Sequence, residues 1–489
     1  MSESESATDG TPQRILNSIT AGIGSMLLLS VLGAFSVRLI TTHLGASAFG
    51  ILVLVQAFVS LSWSVSDLGL SQVLQRDIAR GDQDERWLLS QAMGLRATLG
   101  LLVVPVAAAI GLLVYSNRSD TVRIGLVILL CSVPFSIAQE VAAAHFTARL
   151  RNVILAIGSG IQQLVFVGLV FLAVELHKSI MYCIGAALVG SVVSAVYTIM
   201  LARREVKFFP AFDRVMWYSM LRISGPIGLA FIIGSLYLKA DTVILSFLST
   251  VKQIGYYGVS YSIISVFLVL PVILTRTFIP SQVRANGESI NSAIDSSLAF
   301  LAVGGTLSAT GVMVCGPTVV RVIAGGHFGP SILPLRILGL GLVFIFMTNG
   351  LSSICLARGF TNRLFQVSLL SLILNIGLNI AAIPSLGING AAEATLVCEV
   401  LSMAFMMHLV SSQVKIRPKV FQALARPFAA GLITCVFLAP IYLHHGLGDG
   451  IGLALIPGVC ILYFGILASL RGVPIEVLSA IRSARRAKY

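Results

Sequence analysis

Apolar stretches of about 20 residues recur roughly fourteen times along this chain, and the gaps between them are short. A helix of about 20 apolar residues just crosses the ~30 Å hydrocarbon layer. Hydrocarbon offers backbone N–H and C=O groups no partner, so each stretch has to satisfy its own hydrogen bonds as a helix. The pattern predicts an all-α polytopic membrane protein with little mass outside the bilayer. Only 11% of the 489 residues are charged, whereas a soluble domain carries about 25%.

The spans are expected at 15–40, 49–69, 88–114, 122–144, 153–174, 180–201, 221–248, 255–275, 297–324, 332–357, 364–384, 391–410, 427–443 and 451–470. With the N-terminus placed in the cytoplasm, the cytoplasmic connections and helix ends hold 24 of the 33 Lys and Arg residues. The opposite side holds 8, and Arg96 lies inside the third span. Positive residues are retained on the cytoplasmic side, so this bias predicts an even number of spans with both termini inside. The same rule explains the net charge of +13 without a nucleic-acid partner. The first residues, acidic and Ser-rich, read as a disordered tail over 1–14, with no basic n-region to suggest a cleaved signal peptide. The basic end, 471–489, reads either as a helix on the anionic inner leaflet or as a solvated topology signal.

Several functions are excluded by what the connections lack. All seven cysteines fall within expected spans and none forms a C-x-x-C pair, so they read as small core residues and not as a metal site. No Walker loop is present, which argues against a built-in ATPase. A membrane glycan polymerase or ligase needs a sizeable exposed loop, and the outward connections, such as 41–48 and 385–390, are too short for one.

A weak internal repeat organises the spans. Leu44-Gly45 to Phe49-Gly50 joins the first two, and Leu248-Ser249 to Ile254-Gly255 joins the seventh and eighth. This offset implies a first lobe over 15–201, a linker over 202–220, a second lobe over 221–410 and two further spans within 427–470. Six spans per lobe is an even number, so the halves share one orientation.

Three segments carry a family resemblance. The first is Arg38-Leu-Ile-Thr-Thr-His-Leu-Gly-Ala-Ser-Ala-Phe-Gly50 with Asp67-Leu-Gly-Leu70 and Arg76-Asp-Ile-Ala-Arg80. The second is Asp241-Thr-Val-Ile-Leu-Ser-Phe-Leu with Ile254-Gly-Tyr-Tyr-Gly258. The third is Asn375-Ile-Gly-Leu-Asn379 with Ile383-Pro-Ser-Leu-Gly-Ile-Asn-Gly-Ala-Ala392. In this order they resemble the polysaccharide-transporter branch of the multidrug/oligosaccharidyl-lipid/polysaccharide superfamily, which includes O-antigen and exopolysaccharide flippases. The resemblance implies two six-helix lobes around a V-shaped central cavity, plus two extra helices. It also implies alternating access in a bacterial inner membrane, moving an undecaprenyl-diphosphate-linked oligosaccharide to the periplasmic leaflet. Membrane lipids, a glycan polymerase and chain-length machinery are the partners this role suggests.

Such a cargo carries a diphosphate, which suits arginine because the guanidinium fork binds two oxygens at once. The candidate cations are Arg38, Arg96, Lys239, Arg321 and Arg336. Arg96 is the deepest, and a charge at depth points to a cavity unless its side chain snorkels to the interface. Arg38 and Lys239 sit near the outer ends of corresponding spans, and Arg321 and Arg336 flank the Gly325–Pro330 turn, where plain anchoring also fits. No cofactor is expected, so energy would come from H⁺, Na⁺ or the membrane potential. The coupling candidates are Asp241, Glu399 and Glu140, each of which fits a structural pair with an arginine equally well, Glu140 better than the others. Asp67 fits a helix cap. Asn375 and Asn379 share one helix face and can bond a neighbouring helix or sugar hydroxyls. Two other readings remain open, a drug or lipid II exporter of the same superfamily and a glycan polymerase or ligase.

Overall fold

The computed structural model describes residues 10–284, 288–412, 419–444 and 449–472. Most of the expected N-terminal tail and nearly all of the basic C-terminal segment lie outside these residues. The helices are α1 (Gly10–Asp67), α2 (Leu70–Arg80), α3 (Glu85–Val114), α4 (Asp120–Leu130), α5 (Val133–Ala148), α6 (Asn152–Glu175), α7 (Ile180–Glu205) and α8 (Arg214–Leu248). They continue as α9 (Val251–Arg284), α10 (Glu288–Ala324), α11 (Ile332–Ala357), α12 (Thr361–Leu386), α13 (Ile388–Ser411), α14 (Lys419–His444) and α15 (Asp449–Ser469). No strand occurs among the described residues.

The span count follows from length. Leu28–Asp67 of α1 runs for 40 apolar residues, about 60 Å at 1.5 Å per residue, or twice the hydrocarbon layer. Its ladder breaks at Gly45, with φ 80° and ψ 179°, so it supplies two spans. Counted that way, the eleven long apolar helices and the shorter Leu424–Ala439 and Leu455–Ser469 make the fourteen expected. Leu101, Leu113 and Ile461 are each about three-quarters exposed. A belt of exposed leucine and isoleucine suits lipid as the solvent of the outer surface.

Two breaks shape the first half. The expected span 122–144 is split between α4 and α5 at Cys131 and Ser132, and α5 carries Pro134 in its first turn. Proline has no N–H to donate and crowds the carbonyl four residues back, so the ladder restarts there. Between α1 and α2, Leu68 and Gly69 both take left-handed φ, 45° and 72°. A bulky residue in that region stores roughly 1–3 kcal/mol and needs surroundings that hold it. α2 is too short and polar to span. It buries Leu70, Val73 and Leu74 on one face and ends on Gly81, whose φ of 72° caps the last turn.

The helices form two compact units that divide between Val243 and Ile244. In the first, Leu70, Leu88, Val141, Phe146 and Phe208 form one core cluster. The segment after α7 docks on α3, with Ala211 N–H bonded to Ser90 O at 3.0 Å and Trp217 Nε1–H to Gln91 Oε1 at 3.1 Å. Gly94 permits this docking, because a β-carbon there would lie 2.0 Å from Ala211 O. In the second unit, Ile294, Leu298, Met347, Leu351 and Met406 cluster. There the Tyr463 and Thr306 hydroxyls meet and fasten α15 to α10.

Candidate functional site

The break after α1 leaves Asp67 on the final turn of that helix and starts α2 close by. Ser71, in the first turn of α2, donates its backbone N–H to Asp67 Oδ1 at 3.3 Å. This is the capping role expected of Asp67, but the carboxylate does more. Arg96 on α3 bonds the same Oδ1 through Nη2, reaches Glu140 Oε2 of α5 at 2.6 Å and donates Nη1–H to Ser71 Oγ at 3.1 Å. Ser71 Oγ lies 2.7 Å from Asp67 Oδ1 and 3.1 Å from Glu140 Oε2, so its one proton serves either acid.

Arg96 is completely buried and Asp67 nearly so. A guanidinium in such a place is tolerated only when paired and hydrogen-bonded. Here one cation faces two carboxylates drawn from two other helices. Arg96 is thus neither snorkelling nor open as a phosphate ligand. Its charge is spent inside the cluster, where it ties α1, α3 and α5 together.

Glu140 also lines a cavity of about 500 Å³ within the first unit, walled by α1, the end of α4, α5, α6 and α7. The wall mixes apolar surface with polar groups and is nearly uncharged. Gln56, Gln139, Gln162 and Gln163 supply amides, Ser60, Ser132, Ser136, Ser159 and Ser191 supply hydroxyls, and Trp63 and Phe166 supply aromatic faces. Gln139 is held by Ser194 at 2.9 Å and Gln162 by Ser191 at 3.4 Å. Ser60, Ser132 and Ser136 donate into their own helices, to the carbonyls of Ala57, Leu129 and Ser132. Their oxygen lone pairs stay available as acceptors. Among the described residues, Glu140 is the one charged group on the wall.

The other predicted residues are dispersed. Arg38 on α1 is exposed, while Arg321 and Arg336 are half-buried at facing ends of α10 and α11. Lys239 is half-buried and Asp241 buried on α8, and both engage neighbouring groups. Glu399 is buried on α13, also with a partner. Asn375 and Asn379 are fully buried on α12, where Asn379 Nδ2 donates to Asn375 O at 2.9 Å and Oδ1 at 3.2 Å. Ser371 and Ser402, at 2.7 Å, bridge α12 to α13.

Apart from Glu140, the cavity wall is not among the residues singled out by sequence, although its signal is present there. Gln56, Ser60 and Trp63 follow the i, i+4, i+7 spacing of one helix face, and so do Ser132, Ser136 and Gln139. Ser159, Gln163 and Phe166 repeat it. A stripe of amides and hydroxyls on an apolar span marks the face turned away from lipid.

A second polar cluster lies at the ends of α3, α5 and α7. His145 Nδ1 is 2.7 Å from Glu85 Oε1 and its Nε2 is 3.0 Å from Glu205 Oε2. Arg149 grips Glu85 with two bonds, at 2.6 and 2.5 Å, and Arg151 bonds Glu205 at 2.7 Å.

Fourteen spans, a lipid-facing outer surface and a nearly uncharged cavity walled by five helices describe a membrane transport protein. The chain belongs to the polysaccharide biosynthesis protein family, whose model matches residues 15–285. It is 24% identical over 389 residues to the probable low-salt glycan biosynthesis flippase Agl15 of Haloferax volcanii, covering 77% of this chain and 79% of that one. The probable flippase AglR of the same archaeon is 25% identical over 232 residues, 45% of this chain and 47% of its own. Among solved structures, the lipid II flippase MurJ in an inward closed conformation matches with a TM-score of 0.79 at 16% identity, over 92% of this chain and 98% of that one. An inward-facing multidrug resistance MATE transporter matches at 0.61 and 13% identity, over 78% and 95%.

Proposed function

We propose that this protein is a flippase that carries a lipid-linked oligosaccharide from the cytoplasmic to the outer leaflet by alternating access. The observation that carries this reading is membership of a polysaccharide biosynthesis family in a chain whose apolar spans enclose an almost uncharged cavity with polar groups on its wall. Unaided, the glycan's hydroxyls and the carrier's phosphates would cross hydrocarbon at several kcal/mol for each unpaired group. A carrier removes that barrier by offering polar walls to the head while the lipid tail stays in the bilayer. Arg38, Lys239, Arg321 and Arg336 are the cations proposed to meet the diphosphate, because an arginine fork or an ammonium group suits phosphate oxygens. Asp241 and Glu399 are the acids proposed to couple transport to H⁺ or Na⁺. The positive-inside bias supports cytoplasmic termini, and a glycan polymerase acting on the outer leaflet is the proposed next step.

The test is a deletion strain in which the lipid-linked oligosaccharide is assigned to a leaflet with a membrane-impermeant lectin or glycosidase. Full-length carrier trapped on the cytoplasmic leaflet, released by the restored gene, is the expected result. Carrier that reaches the outer leaflet and stays unpolymerised would refute the flippase in favour of a polymerase or ligase.

A further inference from the structure

We infer that the cavity walled by α1, α4, α5, α6 and α7 is a saccharide-binding subsite, taking uncharged sugar rings of the cargo and leaving the phosphates to another part of the protein. The inference rests on the flippase reading and adds where the glycan is held.

Three features of the wall lead to this. The first is its hydrogen-bonding character. A sugar ring carries hydroxyls that both donate and accept, spaced around an apolar ring. Amides from Gln56 and Gln163 supply donors and acceptors, while Ser60, Ser132 and Ser136 present lone pairs because their protons go to carbonyls in their own helices. Gln139 and Gln162 are already pinned by serines, which orders that wall before any ligand arrives. Trp63 adds a broad apolar face suited to the C–H face of a sugar ring.

The second is charge. Among the described residues no Lys or Arg lines the cavity, and its one ionisable group is the Glu140 carboxylate. A diphosphate placed there would meet an acid and no counter-charge. An organic cation would have to compete for Glu140 with Arg96, which already holds Oε2 at 2.6 Å. A neutral polyol meets neither obstacle. The third is size and depth. About 500 Å³ lies within the ~300–1,000 Å³ range of pockets that enclose a drug-sized ligand, enough for a short saccharide. The polar part of the α6 wall, Ser159 to Gln163, begins seven residues into that helix, about 10 Å from its end. Polar groups that deep are costly on a lipid face and are retained where they line a path or a site.

The experiment uses the full chain in lipid nanodiscs, free of glycosidic detergent. Trp63 is one of three tryptophans, so a Trp87→Phe/Trp217→Phe background makes it the sole reporter. The probes are the free oligosaccharide released by mild acid from the host's lipid-linked pool, inorganic diphosphate and tetraphenylphosphonium. Saturable change of Trp63 emission with the oligosaccharide alone, weakened roughly tenfold by Gln163→Leu and by Gln56→Leu, is expected. Equal melting temperatures exclude misfolding of the variants. Absence of a saccharide response, a response undiminished in both variants, or a stronger response to the phosphonium overturns the subsite. The leaflet assay separates the two readings. If Gln163→Leu supports wild-type flipping in cells, the subsite falls and the flippase stands. If the deletion strain flips normally while Trp63 still reports saccharide, the flippase falls and the subsite stands.

Discussion

Arg96 and Glu140 meet at 2.6 Å across 44 positions of chain, one on α3 and the other on α5. Through this bond the most deeply buried charge of the first unit is coupled to the wall of its cavity. Replacing Arg96 by Gln leaves Asp67 and Glu140 facing each other without a cation. Breaking a buried pair in this way costs about 3–5 kcal/mol, so the purified variant should melt far below the parent. Adding Glu140→Gln should recover part of the loss. Additive losses in that double-mutant cycle would show that the pair carries no coupling.

Gly94 and Gly228 are both places where backbone lies against backbone. A β-carbon at Gly228 would sit 2.3 Å from the Leu68 carbonyl, and at Gly94 2.0 Å from that of Ala211. Gly94→Ala and Gly228→Ala should each destabilise the protein by about 1–3 kcal/mol through overpacking. Gly160→Ala, at a site with nothing within 4 Å, should be nearly silent. Comparable melting shifts for all three would contradict this assignment.

The Glu85–Arg149 fork lies at the helix ends, half-exposed on the arginine side. Solvent screening limits its worth to about 1 kcal/mol. The bonds to Glu85 raise the Arg149 pKa, so this contribution is intact below the ordinary arginine value and is lost only as pH rises through the raised one. Arg149→Ala should therefore lower stability by a similar amount at pH 6 and pH 9. A loss confined to one of those pH values would contradict this assignment.

Tyr463 and Thr306 hold α15 to α10 by one hydroxyl pair, and Tyr463 also reaches Val303 O at 3.3 Å. Tyr463→Phe keeps the ring in its apolar setting and removes only the hydroxyl. Thr306 retains Ala302 O as a partner at 2.7 Å, so the expected cost is about 1 kcal/mol. Tyr463→Ala, which also empties a fully buried ring site, should cost about 3–5 kcal/mol. Equal effects of the two would assign the whole contribution to the hydroxyl.

Span number is legible in the amino-acid sequence because hydrocarbon thickness imposes one length on every crossing helix. The Gly45 break is legible too, as a glycine turn between two apolar runs. The fate of Arg96 is not, because pairing depends on which faces of α1, α3 and α5 meet. No local pattern encodes that convergence across 29 and 44 positions of chain. The uninterrupted apolar run on either side of Pro134 conceals the split there. The cavity stripes, Ser132-Ser136-Gln139 among them, are visible at helical spacing. Formal charge as the mark of function passes over them, because this wall works with neutral dipoles.

The order in which the chain is made gives the Arg96 cluster a further consequence. Asp67 is synthesised first, Arg96 follows 29 positions later, and Glu140 comes 44 after that. An arginine mid-helix resists membrane entry by about 2.5–3.5 kcal/mol on insertion scales. Asp67, already made, balances the charge of Arg96 one to one, and Glu140 brings a second carboxylate to the same guanidinium. A chain ending after α3 would hold Arg96 against Asp67 and Ser71 and would lack the bond that brings in α5.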